Sequence, residues 1–162
     1  MPNFPPPPSL SRLYARPGFL LRRAHQISAA VFEHECRDVA LTPAQFGVLT
    51  VLSAQPGVGQ TKLARALGFD KVTALRVLRG LERRGLVARA PAPDNKRNIS
   101  ASLTAAGAQL LAQAERPAEK AYQRLLAPLD REQQAQLLQL LQQLTGKLEN
   151  DARAAFVPAG QL

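Results

Sequence analysis

The chain's 162 residues suffice for one domain with a sizeable core, and 46% apolar against 20% charged residues exclude a wholly disordered chain. The formal net charge of +9 points to a polyanionic partner, nucleic acid or an anionic membrane surface. A single cysteine, Cys36, excludes an intramolecular disulfide, and no run of about 18 apolar residues is present to span a membrane.

Residues 1–15 read as a flexible, Pro-rich arm, in which Pro5 to Pro8 favour an extended polyproline course. The opening MPNFPPPPSLSR lacks the basic-then-apolar order of a secretory signal, so a cytoplasmic location is expected. From Pro17 to about Arg37, Leu20, Ala24, Ile27 and Val31 recur at helical spacing. Phe19, Leu21 and Phe32 lie off that stripe. The surplus suggests burial on two sides, one of them against a second chain. Residues 16–40 are therefore expected to form an N-terminal dimerisation helix, with Leu20 in the interface.

Thr42-Pro43 supplies a hydroxyl cap and a first-turn proline for a helix filled by Phe46, Leu49, Val51 and Leu52 and ended by Gln55-Pro56-Gly57. A short helix with Leu63, Ala64 and Leu67 closes at Gly68. Asp70 caps the next, which runs to Arg84 with Ala74, Val77, Leu78 and Leu81 as its apolar stripe, and Gly85 stands where a left-handed cap belongs. The period then changes: Leu86–Arg89 reads as a strand, residues 90–97 as a loop and Ile99–Leu103 as a return strand. Thr104 caps a long helix from Ala105, which Pro117 should kink or interrupt. Asp130 with Gln133 forms a capping box for a final helix, roughly 131–154. Its face of Leu137, Leu141, Leu144 and Leu148, broadened by Leu138 and Leu140, reads as a dimer interface. The opposite glutamines are not the Lys-rich face of a membrane-surface helix. Residues 105–157 are thus expected to be C-terminal dimerisation helices. The fold class expected is mainly α with a small β-hairpin wing, a winged helix-turn-helix flanked by dimerisation helices.

The charge has an address. Residues 60–99 hold ten Lys and Arg against three acids, seven of the nine net charges. Two short helices joined at Gly68 form a candidate helix-turn-helix whose second member, 70–84, suits a major groove. The face opposite its apolar stripe offers Lys71, Val72, Thr73, Leu75, Arg76 and Arg79. Lys62 stands on the preceding helix, and Lys96 and Arg97 at the hairpin tip. Segment 41–104 is read as a DNA-binding lobe with these nine residues as its contacts; a merely solvated basic face is the alternative. No nucleophile elbow, phosphate loop or carboxylate pair is present, so no catalytic residue and no cofactor is expected. His25 and His34 are not spaced to hold a metal with Cys36. Arg23 lies near the apolar stripe 20/24/27/31 and there needs an acid, a carbonyl or an anionic ligand. Glu33, Glu35 and Asp38 around Cys36 oppose thiolate formation, which favours a plain thiol over a redox sensor.

The stretch LTPAQFGVLTVLSAQPGVGQTKLARALGFDKVTALRVLRGLERRGLVARAPAPDNKRNISASLTAAGAQLL, from Leu41 to Leu111, resembles the MarR family of bacterial regulators. The motifs that carry the resemblance are LARALG, RVLRGLERRGLVAR, the wing ending in NKR, and LTAAG. The resemblance implies a homodimer with intertwined first and last helices, a pseudo-palindromic double-stranded DNA operator, and repression relieved by a small ligand. Two features depart from the family pattern. Val72 and Leu75 stand where small polar residues are usual, and Asn95 stands where an aspartate usually precedes the wing arginine, with Asp94 one step earlier. PGFLLRRAHQ is similar to regulators of aromatic-acid catabolism. That similarity implies a small aromatic acid or its coenzyme A thioester as effector, with Arg22, Arg23, His25 and Gln26 as the matching residues. The competing readings are a thiol-based redox regulator using Cys36 and a winged-helix protein-interaction module without DNA binding.

Overall fold

The computed structural model describes residues 10–92 and 98–161. The expected Pro5–Pro8 arm therefore lies outside the described residues. Within them the arm gives way to a helix, α1 (Leu10–Tyr14). Beyond Pro8 no residue opposes helical φ, and Tyr14 gains a ring partner in Phe19, centroids 5.2 Å apart. Phe19 belongs to α2 (Pro17–Glu35), which has Pro17 in its first turn, where a missing N–H breaks no bond.

The inward face of α2 differs from the expected stripe. Phe32 is buried, whereas Leu20 and Ile27 face solvent at 54% and 47% exposure. Periodicity identifies an apolar face but not what covers it. Phe32 wins the core position because two rings receive it: Phe46 at 5.5 Å and Tyr122 at 6.0 Å. Around it Cys36, Ala118 and Ala121 complete a small cluster.

The main core lies in the following lobe. In α3 (Pro43–Ala54), Thr42 accepts from the Gln45 N–H at 3.3 Å and the Gln45 side chain accepts from the Thr42 N–H at 3.1 Å, the reciprocal box that fixes the helix start. Val48, Leu49 and Leu52 of α3 pack against Leu63 of α4 (Gln60–Ala66) and Leu78 and Leu81 of α5 (Lys71–Arg83). Beside them run β2 (Val87–Pro91) and β3 (Ile99–Leu103), paired antiparallel with Val87 opposite Leu103. A third strand, β1 (Val58–Gly59), pairs with the other edge of β3, Val58 opposite Ala101. The hairpin expected from sequence is thus part of a three-stranded sheet of order β1-β3-β2. Two residues are too few for an alternation to reveal β1 in the sequence.

Thr104 caps α6 (Ala105–Leu126) by accepting from the Gly107 N–H at 3.0 Å, and its hydroxyl donates to the Gly85 carbonyl at 2.7 Å. A Cβ at Gly107 would lie 2.0 Å from the Leu86 carbonyl oxygen, so only glycine lets α6 start this close to the sheet. Of the two outcomes expected at Pro117, interruption does not occur: α6 runs through the proline as one helix. Ala114, Ala118 and Ala121 are buried on either side of the proline, and their packing outweighs the lost hydrogen bond. Asp130 and Gln133 form the expected box for α7 (Arg131–Lys147). This helix stops short of 154: the chain turns through a 3-10 turn at Glu149–Asp151, and the Glu149 carboxylate accepts from the Phe156 N–H at 2.9 Å. No residue of α7 is buried within the chain. Among the described residues, no helix is long and apolar enough to cross a membrane.

Candidate nucleic-acid interface

Three devices set the attitude of α5. Asp70 accepts from the Thr73 N–H at 2.7 Å and from the Thr73 hydroxyl at 3.0 Å; the backbone donor first and the hydroxyl second hold its carboxyl below the usual aspartate value. At the other end, the N–H of Leu86 bonds back to the Leu81 carbonyl at 3.0 Å, closing the helix over Gly85, whose φ is +70. The Arg84 guanidinium donates to the carbonyls of Val39 and Ala40 at 3.1 and 2.8 Å, tying α5 to the turn after α2.

The helix so held is divided lengthwise. Ala74, Leu78 and Leu81 are buried, with Val77 half-buried. Lys71, Val72, Arg76 and Arg79 are exposed, Val72 to 77%. Lys62 is exposed on α4. Thr73 and Leu75, expected on the same outward face, are half-buried, and the Thr73 hydroxyl is engaged by its own cap. Lys96 and Arg97 lie outside the described residues. The wing is nevertheless closed up to its tip, the Ala92 N–H donating to the Asn98 carbonyl at 2.7 Å.

Not every cation of the basic segment is free for a partner. Arg89 donates through Nε and Nη2 to Glu82 at 2.9 and 2.7 Å, and its side chain is only 19% exposed. Together with Arg84 it serves the fold. The lengthwise pattern of α5 could not reveal this, because the Glu82 partner lies one element away.

The candidate effector residues are only partly brought together. Gln26 accepts from Arg22 at 3.4 Å and from Arg23 at 2.9 Å. The Arg22 guanidinium sits 5.0 Å over the Phe19 ring. Arg22 also lines an open groove of about 650 Å³ with Leu13, Arg16, Pro17, Gly18 and Phe19. Arg23 and His25 are exposed and outside that lining. Arg23 is exposed beside the stripe, of which Leu20 and Ile27 are exposed and Val31 is half-buried, and the side-chain carbonyl oxygen of Gln26 supplies its partner. Arg16 is the groove cation that sequence reasoning missed; its place before the helix-starting Pro17 was the available signal. A second cation site was also missed: Glu35 accepts from Lys120 at 2.9 Å and Arg124 at 2.7 Å, locking α2 to α6. Cys36 is fully buried; burial first and the Glu35 charge second push its thiol up. Among the described residues, no cluster of His, Cys, Asp and Glu is placed to hold a metal.

Residues 41–99 match the MarR family profile. The chain is 33% identical over 124 residues to the transcriptional regulator HosA of Escherichia coli O111:H-, covering 76% of this chain and 90% of HosA. Its fold is similar to the repressor CouR bound to a 23-mer DNA duplex, with TM-score 0.76, 34% identity and coverage of 85% and 98% of the two chains. It is likewise similar to Bordetella bronchiseptica BpsR, whose DNA binding is regulated by 6-hydroxynicotinic acid, with TM-score 0.76, 30% identity and coverage of 82% and 94%. With the winged helix-turn-helix, the family profile and these relatives in agreement, the chain belongs to the MarR family: it is a transcriptional regulator, not an enzyme.

Proposed function

We propose that this regulator is a homodimeric repressor that binds a pseudo-palindromic operator and leaves it when a small aromatic acid or its coenzyme A thioester binds. The observation that carries the DNA-binding half is the division of α5, with Ala74, Leu78 and Leu81 locked into the core and Lys71, Val72, Arg76 and Arg79 presented outward. In this reading segment 41–104 is the DNA-binding lobe. Segments 16–40 and 105–157 pair with a second copy through Leu20, Leu137, Leu141, Leu144 and Leu148, and segment 1–15 is an arm. Arg76 and Arg79 reach base edges or phosphates, and Val72 meets a thymine methyl. Lys62 and Lys71 hold phosphates, Thr73 fixes the helix start, and Leu75 packs beneath the contact face. Lys96 and Arg97 serve the wing. The DNA partner places the protein in the cytoplasm. An interaction module without DNA binding has no use for this basic face. A Cys36 sensor is disfavoured by a thiol that is buried and raised.

The test is binding to genomic fragments against random duplex as salt is raised. Specific binding should weaken steeply, in proportion to the phosphates neutralised. Salt-independent binding, or no preference over random duplex, overturns the reading.

For the effector, the support is a ring and guanidinium groups at one groove. An aromatic ligand would pack on Phe19 and Leu13 while its carboxylate pairs with Arg22 and Arg16; Gln26 holds Arg22 from outside the groove, and Arg23 and His25 lie on the same helix but outside its lining. The similarity to BpsR supports the ligand class. Thermal-shift screening of aromatic acids and their thioesters should find a binder that releases operator DNA. Unchanged shift and release in Arg22→Ala and Arg23→Ala variants would remove the anchor.

A further inference from the structure

The chain does not stop at α7. After the 3-10 turn it doubles back and lies across the helix-turn-helix of its own lobe. The Val157 N–H donates to the Arg65 carbonyl at 3.0 Å. Arg65 is in the last turn of α4, and its carbonyl, which also accepts from the Gly68 N–H at 3.2 Å, thus takes a second donor from the tail. One residue before it, the Phe156 side chain lies over Gly68, whose φ is +61; a Cβ built there would be 3.8 Å from that of Phe156. Further along, the Ala159 carbonyl accepts from the side-chain amide of Gln55, the residue that ends α3, and Ala159 packs against the main core. Three residues of the tail thus touch the ends of α3 and α4 and the turn that leads into α5. At its start the same tail is braced by the Glu149 carboxylate on the Phe156 N–H. The 3-10 turn that bears Glu149 directly follows α7 in the chain.

This arrangement is a mechanical connection. The turn Leu67–Phe69 sets the angle at which α5 leaves α4, and residues 156–159 join that turn to α7 by a short path outside the core. We propose that Phe156, Val157 and Ala159 are positioning residues for DNA recognition: the tail is a strap that fixes the helix-turn-helix against α7. The proposal rests on the DNA-binding reading for its functional consequence. Its structural half stands without it. The strap touches no residue of the outward α5 face, so its loss changes where the face points and leaves its charge intact.

The test uses the full chain with Phe156→Ala and Val157→Pro, the second removing the donor to Arg65, and Phe156→Leu as the conservative partner. Amide exchange at Gly68 and Phe69 should quicken at least about fivefold in Phe156→Ala and Val157→Pro, with exchange in the α3 and α5 cores unchanged. Operator affinity should fall about tenfold, while the salt slope, which counts neutralised phosphates, stays at the wild-type value. Phe156→Leu should restore most of the affinity. Unchanged exchange at residues 68 and 69 overturns the strap whatever the DNA result. Quickened exchange with wild-type operator affinity leaves a structural tail and overturns its positioning role. A wild-type chain that binds no operator defeats the DNA-binding reading and the positioning role with it, and the exchange result then decides the strap alone.

Discussion

At Glu35 two cations of α6 converge on one carboxylate, Lys120 at 2.9 Å and Arg124 at 2.7 Å. The hydrogen bond from Lys120 first, then that from Arg124, hold its carboxyl below the ordinary value of 4.5, against a smaller opposing effect of burial. Asp70 is shifted in the same direction by its cap. A carboxyl depressed in the fold stabilises it fully above the unfolded value, and that contribution is lost as pH falls through the folded value. Thermal stability should therefore decline as pH drops below 4.5, and Glu35→Gln should be less stable at neutral pH yet lose less on acidification. Parallel acid profiles for variant and wild type would refute the assignment. The arginines divide in a similar way by partner. Arg76 is exposed on α5, whereas Arg89 is spent on Glu82. Arg76→Ala should cost about 1–3 kcal/mol of operator binding by anisotropy, with an unchanged melting temperature. Arg89→Ala should do the reverse, lowering the melting temperature by leaving Glu82 without its partner. Equal effects of the two on both measurements would show that the distinction is false.

Helix starts were legible in the sequence because a cap is a local device. Thr42, Asp70, Thr104 and Asp130 each accept from the backbone N–H three residues on, as their side chains and spacing imply. α5 was legible in large part for the same reason: period marks Ala74, Leu78 and Leu81 as buried and Lys71, Arg76 and Arg79 as exposed, but not that Thr73 and Leu75 are half-buried. What was not legible depends on distant partners. β1 exists through β3, Phe32 is chosen by rings on α3 and α6, the tail is placed by Gln55 and Arg65, and Arg89 is claimed by Glu82. Pro117 does not interrupt α6, whose buried alanines lie on both sides of it. An interior proline costs a helix about 3 kcal/mol, so Pro117→Ala should stabilise the protein by up to roughly that amount in denaturant titration. No gain would mean that the helix has already relaxed around the ring. Gly107→Ala should act oppositely, costing roughly 1–3 kcal/mol as the new methyl forces α6 off the Leu86 carbonyl. A neutral Gly107→Ala would show that this approach is looser than 2.0 Å implies.

On the scale of the molecule, polar and apolar surfaces are segregated. Exposed Lys62, Lys71, Arg76 and Arg79 stand on α4 and α5, while α2 and α7 carry many of the large exposed apolar side chains: Leu20, Leu21 and Ile27 on one, Leu137, Leu138, Leu140, Leu141 and Leu144 on the other. A helix whose leucines repeat at helical spacing and, among the described residues, are not buried by their own chain has a strip of surface that water solvates poorly. Covering that strip with the same strip of a second copy removes it from water, and a two-fold arrangement would also present two α5 helices to one duplex. Leu141 and Leu144, exposed at 37% and 43%, lie in that strip one turn apart. A carboxylate at either position stays hydrated in a monomer and costs it little. In an apolar interface between two copies it would be left unpaired and desolvated, which is strongly destabilising. If folding and association are linked, Leu141→Glu and Leu144→Glu should give unfolded or insoluble chains, and the wild-type melting temperature should rise with protein concentration. Light scattering of the wild type at micromolar concentration and circular dichroism of both variants decide the matter. A wild-type chain that is folded and monomeric, or glutamate variants that melt like the wild type, would show that α7 faces solvent and that the operator is read by single copies.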